Sequence, residues 1–235
     1  MALAVTAAGV LASNAQTVYS ANIVGYANVS LLGNGKYNAV ANTFNVGVSN
    51  GINEAFPSLP NGSVVYLFNG SSYVSYGYDN SIQDHANDWF TGGFDADITQ
   101  LPIVAPGTGT FVVLPGALGA TNTFVGTIVT SVGTTNTTAT YAAGNYSFTG
   151  SPIPYAGQAD GTNVNLKMPN GSVLVQWDPV NNNFVTSGYD TSIQDHSNDW
   201  FTGGFDADLA NPPQIKVGES FFIVPTASYQ WKQSL

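Results

Sequence analysis

Apolar and polar residues alternate along this chain in short runs, and nearly every run is closed by Gly, Asn or Pro. Alternation with a period of two is the mark of a half-buried strand. It predicts strands over residues 23–31, 63–68, 72–78, 110–114, 124–132, 172–177, 183–189 and 220–224. Asn61-Gly62, Asn69-Gly70 and Asn170-Gly171 supply turns between them, and Asn-Gly is the strongest short-range hairpin signal. Val65 to Val74, folding back at Asn69-Gly70, reads as a hairpin. Helical periodicity is absent except for one turn at residues 51–56. Many short strands separated by turn residues predict an all-β chain of sandwich or barrel type.

The same pattern occurs twice. Tyr78 to Asp97 reads YDNSIQDHANDWFTGGFDAD and Tyr189 to Asp208 reads YDTSIQDHSNDWFTGGFDAD, an offset of 111 residues with differences only at Asn80/Thr191 and Ala86/Ser197. Weaker likeness extends outward. Leu59 to Val64 pairs with Met168 to Val173, Phe68 with Trp177, Tyr73 with Phe184, Gly107 with Gly218 and Phe111 with Phe222. Val24-Gly25-Tyr26 is read as the counterpart of Val125-Gly126-Thr127. The expectation is two tandem β-sandwich-like modules from an internal duplication, over residues 16–120 and 121–235, each of ordinary domain size.

Composition narrows the function. Charged residues make up 8% of the chain, and its only cations are Lys36, Lys167, Lys216 and Lys232 against a formal net charge of −10. A nucleic-acid partner is not expected, because no basic patch can form to neutralise phosphates. Attraction to an anionic membrane is disfavoured for the same reason. Cysteine is absent, which excludes disulfide staples and thiolate metal sites. Residues 2–12 form a small apolar run before Ser13-Asn14-Ala15, a small-x-small cleavage pattern. Residues 1–15 are therefore read as a truncated signal peptide and the protein as secreted or displayed on the cell surface. That run is too short to cross a bilayer, and no membrane span is expected.

Ten of the fourteen acids lie in the duplicated block, with both histidines (His85 and His196) and two of the four tryptophans. Calcium is one reading, since a hard cation takes six to eight oxygens from carboxylates, amides and carbonyls. Its ligands would be Asp84, Asn87, Asp88, Asp95 and Asp97, and in the second copy Asp195, Asn198, Asp199, Asp206 and Asp208. A second reading is a glycan site, with Trp89, Phe94, Trp200 and Phe205 offering apolar faces beside carboxylate acceptors. In the third, Asp and Asn cap turns while the aromatics anchor a long loop. No pair of acids is differentiated into acid and nucleophile, one His per copy is too few nitrogen ligands for zinc, and no phosphate-binding loop is present. The chain is not expected to be an enzyme.

Residues 18–29 (VYSANIVGYANV), Asn122 to Gly126 and Val217 to Phe222 resemble uncharacterised exported β-rich proteins of planctomycete and verrucomicrobial bacteria. The resemblance implies export and a β fold and no activity. Low charge, tandem modules and the lack of a catalytic signature lead to an expected structural role. The chain would be a subunit of an extracellular matrix, coat or filament that pairs with itself through β-strands, the segment from Val18 to Leu31 completing a neighbour's sheet. The alternative is an extracellular module for glycan binding or calcium-dependent adhesion.

Overall fold

The computed structural model describes residues 23–82, 87–92, 94, 96–131, 134–193 and 197–235. The expected signal peptide and the first residues of the expected donor strand lie outside them. The first module contains β1 (Val24–Leu31), β2 (Tyr37–Ala41), β3 (Asn45–Val46), α1 (Ile52–Ala55), β4 (Ser63–Phe68), β5 (Tyr73–Tyr78), β6 (Trp89–Thr91), β7 (Ala96–Asp97), β8 (Gly109–Val113) and β9 (Ala120–Thr127). The second contains β10 (Asn136–Tyr141), β11 (Ser147–Gly150), β12 (Gly157–Gln158), β13 (Ser172–Asp178), β14 (Asn183–Tyr189), β15 (Trp200–Thr202), β16 (Ala207–Asp208), β17 (Gln214–Ile215), β18 (Ser220–Val224) and β19 (Tyr229–Ser234).

The chain is all-β and the duplication is visible in its topology. One six-stranded antiparallel sheet runs β2-β8-β4-β5-β6-β7, and the other runs β11-β18-β13-β14-β15-β16 in the same order. The hairpin at Asn69-Gly70 forms, with Phe68 opposite Tyr73. Successive side chains on a strand point to opposite faces, so Val65 on β4 and Val112 on β8 enter the first core while Tyr66 and Phe111 face away. A smaller sheet covers each core: β1-β9-β3 brings Ala27, Leu31 and Phe124 over the first, and β10-β19 brings Tyr229 and Trp231 over the second.

β9 pairs with β1 along its whole length, from Val24 opposite Thr127 to Leu31 opposite Ala120. Residues 120–127 thus close the first module, and β19, paired with β10, is their counterpart in the second. The expected boundary at 120 thus falls at the first residue of β9, a strand paired with β1. The Val-Gly likeness between residues 24–25 and 125–126 joins two paired strands of one sheet, Gly25 opposite Gly126, not the starts of two modules. The segment expected to complete a neighbour's sheet is, from Val24 onward, the end strand of its own sheet, paired with β9 on one side.

The modules meet through equivalent residues. Ala41 N donates to Gly218 O at 2.8 Å and Gly150 N donates to Gly107 O at 3.0 Å. Val40 bridges Glu219, and Thr108 bridges Thr149. Ala41 lies opposite Gly109 and Gly150 opposite Ser220, so Ala41 and Gly150 hold the same station, as do Gly107 and Gly218. These four contacts form two pairs related by exchange of the modules, the pattern of a twofold, isologous interface. Phe111, Phe148 and Phe222 form a separate buried cluster on this seam. At the far ends of the two sheets, β7 and β16 are two residues long and carry Asp97 and Asp208, and short, charged terminal strands resist edge-to-edge pairing.

Candidate functional site

Among the described residues of the Asp-rich blocks, turn-type hydrogen bonds recur in both copies. Asp79 accepts bonds from Ser81 N at 2.9 Å and Ser81 Oγ at 2.6 Å, and Asp190 repeats this with Ser192 N at 2.8 Å and Oγ at 2.5 Å. The Ser81 hydroxyl is the main reason the Asp79 carboxyl titrates below its usual range. Asn87 accepts from Trp89 N and donates to Ile98 O, both at 2.8 Å. Asn198 accepts from Trp200 N at 2.9 Å and donates to Leu209 O at 2.5 Å. Both ends of each amide are thus engaged with backbone, as expected of turn-capping Asn.

Of the expected calcium ligands, Asp84, Asp95 and Asp195 lie outside the described residues, as do His85 and His196. Asp88, Asp97 and Asp208 are exposed. Asp199 is half-buried, with its carbonyl accepting from Asp190 N, and the Asp206 carboxylate lies over Gly203. Among the described residues, no three of His, Cys, Asp and Glu come together as a metal site. The aromatic faces expected at Trp89 and Trp200 belong to the cores, where the two rings are 1% and 0% exposed and pack against Tyr78 and Tyr189. Phe94 and Phe205 are exposed, each beside one buried ring, Phe90 and Phe201.

The open aromatic surface is elsewhere, on the outward faces of the two six-stranded sheets. Tyr37, Tyr66, Tyr73 and Phe111 of the first module and Trp177 and Phe184 of the second line a cleft of about 320 Å³. That lies in the size range of small-molecule sites. Tyr37, Tyr73 and Phe184 are 40%, 39% and 48% exposed. The Trp177 ring is fixed across the seam: its Nε1 donates to Tyr37 O at 2.7 Å, and it meets Phe184 edge-on at 4.8 Å between centroids. Lys36 straps the same corner, its Nζ donating to Pro179 O at 3.0 Å and Val180 O at 3.1 Å. Burial pushes the Tyr73 hydroxyl up to about 12, and burial followed by the neighbouring Tyr37 raises Tyr66. Both hydroxyls therefore stay neutral at physiological pH and can donate or accept.

A polar hollow of about 340 Å³ adjoins this cleft and shares Trp177. Asn28 and Ser30 of β1 line it from one side, Lys216 and Glu219 from the other. Glu219 accepts from Gln176 Nε2 at 2.9 Å and from Lys216 N at 2.8 Å, and burial raises its carboxyl above the usual range. Trp177 thus stands where an aromatic surface passes into one rich in hydrogen-bonding groups.

None of the six cleft-lining residues was singled out by sequence as a ligand site. The available signal was the repeat alignment, which paired Phe68 with Trp177 and Tyr73 with Phe184, aromatic for aromatic. No protein-family model matches the chain, and no curated relative or solved structure matches it.

Proposed function

We propose that the protein is a secreted glycan-binding protein that holds an uncharged saccharide in the cleft between its two modules. The observation that carries this reading is the cleft itself: six aromatic side chains, drawn from both modules and facing away from either core. The C–H face of a pyranose is apolar and packs on an aromatic ring, while its hydroxyls need partners at the rim. Here Tyr hydroxyls and the hollow beside Trp177 supply them. The six lining residues are uncharged at neutral pH, and a net charge of −10 repels acidic polysaccharides. Secretion is part of the proposal and rests on the N-terminal sequence pattern.

Retention on insoluble cellulose, xylan, mannan and chitin, with Trp177→Ala beside the parent protein, tests the reading. Retention on at least one polymer, lost with Trp177→Ala in a folded variant, is expected. Failure on all four, or retention unaffected by the substitution, overturns it.

Self-assembly is a second reading, supported by the outer face of the paired strands β1 and β9. Tyr26 and Val125 are cross-strand partners there, 72% and 57% exposed, with Val24 at 68%. Sedimentation velocity at rising concentration, with Tyr26→Ser/Val125→Ser as control, tests it. Association removed by the pair of substitutions is the expected result, and a monomer at every concentration refutes it.

A further inference from the structure

The cleft has a twin. A second hollow, of about 540 Å³, is lined by Phe68, Tyr73, Tyr146, Val175, Phe184 and Phe222, with Ser71 and Thr186 at its margin. Every residue of the first cleft has its duplicate in the second. The sequence repeat pairs Phe68 with Trp177, Tyr73 with Phe184, and Phe111 with Phe222. Tyr37 and Tyr146 each lie four residues before the equivalent Ala41 and Gly150, and strand register pairs Tyr66 with Val175, opposite Phe111 and Phe222. Tyr73 and Phe184 exchange places under the duplication and line both hollows.

Ring geometry repeats with the lining. Trp177 meets Phe111 across the seam at 5.7 Å and 79°, and Phe68 meets Phe222 at 5.3 Å and 88°. Tyr37 stands edge-on to Phe111 at 5.8 Å, and Tyr146 to Phe222 at 6.1 Å. The two hollows are therefore halves of one groove lying across the pseudo-twofold axis.

We infer that this groove is a pair of subsites, joined at Tyr73 and Phe184, that hold successive units of one saccharide chain; the inference rests on the glycan reading above. Three features set its terms. The shared pair makes the hollows continuous, so one chain can occupy both. A twofold axis across a chain reverses its direction at the second subsite. Stacking tolerates that reversal, whereas a fixed set of directional hydrogen bonds does not. The copies have also diverged: the first subsite has Trp177 and Tyr66 where the second has the smaller Phe68 and Val175. The first subsite is thus the anchor, and the second adds affinity when the ligand is long enough to reach it.

The test is a titration with cello-, xylo-, manno- and chito-oligosaccharide ladders from the monosaccharide to the hexamer, followed by tryptophan fluorescence and calorimetry. Four proteins are compared: parent, Trp177→Ala, Phe68→Ala and Val175→Tyr. The inference expects affinity to rise by about tenfold or more from monomer to short oligomer. Phe68→Ala should flatten that rise, Trp177→Ala should weaken every length, and Val175→Tyr should strengthen oligomers more than the monosaccharide. Val175→Tyr rebuilds the ring of the first subsite on an open face and gives a readout independent of truncation. Affinity that ignores length, with Phe68→Ala and Val175→Tyr silent, overturns the paired subsites and leaves a single glycan site standing. Absence of binding by every ladder overturns both.

Discussion

Ala41 and Gly150 hold the same station in the two modules and meet each other across the seam: a Cβ on Gly150 would lie 2.2 Å from that of Ala41 and 2.6 Å from Glu219 O. The isologous contact therefore tolerates a methyl group on one side only. Gly150→Ala is expected to destabilise the protein by about 1–3 kcal/mol, the usual range for overpacking. Ala41→Gly in the same chain should recover part of that loss, because it removes the first clash and leaves the second. Urea unfolding of the four members of this double-mutant cycle reads the coupling directly. Additive effects would mean that the two positions do not touch.

Trp177 is the one tryptophan with access to solvent, since Trp89, Trp200 and Trp231 are 1%, 0% and 0% exposed. A neutral quencher such as acrylamide should extinguish a single red-shifted component of the native emission. Trp177→Phe should delete that component and leave the blue, protected remainder. Equal quenching in parent and variant would place another tryptophan at the surface.

The sequence was most legible where one strand face is core and the other ends at a clear turn. β4, β14 and β18 lie within the expected limits of 63–68, 183–189 and 220–224. β2 and β11 were missed because the seam covers them: Ala39, Val40 and Ala41, and then Phe148, Thr149 and Gly150, are half-buried or buried in succession and show no alternation. β9 was placed too late because its limits follow its register with β1, a partner almost a hundred residues away. The cleft was illegible for a related reason. On β4 the inward Val65 and Leu67 and the outward Tyr66 and Phe68 are all apolar, so the pattern does not say which side faces solvent. The near-identical Asp blocks drew attention to Trp89 and Trp200, yet both rings are core.

Glu54 sets a pH dependence whose sign is fixed. Its carboxylate accepts from Val48 N at 2.7 Å, Gly51 N at 2.9 Å and Ser49 N at 3.0 Å, and the Val48 bond is the largest influence in lowering its pKa from 4.5 to about 2. A depressed folded-state pKa favours the ionised form, so the contribution is complete above 4.5 and is lost as pH falls toward 2. Glu54→Gln should be less stable than the parent at neutral pH, and the gap should close across that acid window. Glu219 acts in the opposite sense: burial raises its pKa, so its ionisation weakens the fold as pH rises. Urea midpoints over a pH series for the parent and Glu54→Gln separate the two. A gap that stays constant with pH would remove Glu54 as the cause.

Asn198 distinguishes a turn from a metal ligand. Its Oδ1 accepts from Trp200 N and its Nδ2 donates to Leu209 O, so both halves of the amide are needed to hold the loop against the second core. Asn198→Asp keeps the acceptor but replaces the donor with an anionic oxygen facing a carbonyl. An unpaired, partly buried carbonyl costs about 1–3 kcal/mol, and repulsion adds to it. The variant is therefore expected to melt well below the parent in EDTA, and Asn87→Asp should do the same in the first module through Ile98 O. A calcium ligand predicts the reverse: an added carboxylate would leave stability in EDTA nearly unchanged and tighten calcium binding. Thermal melts of both variants in EDTA and in millimolar calcium decide between them, because only the turn role makes the loss independent of the ion.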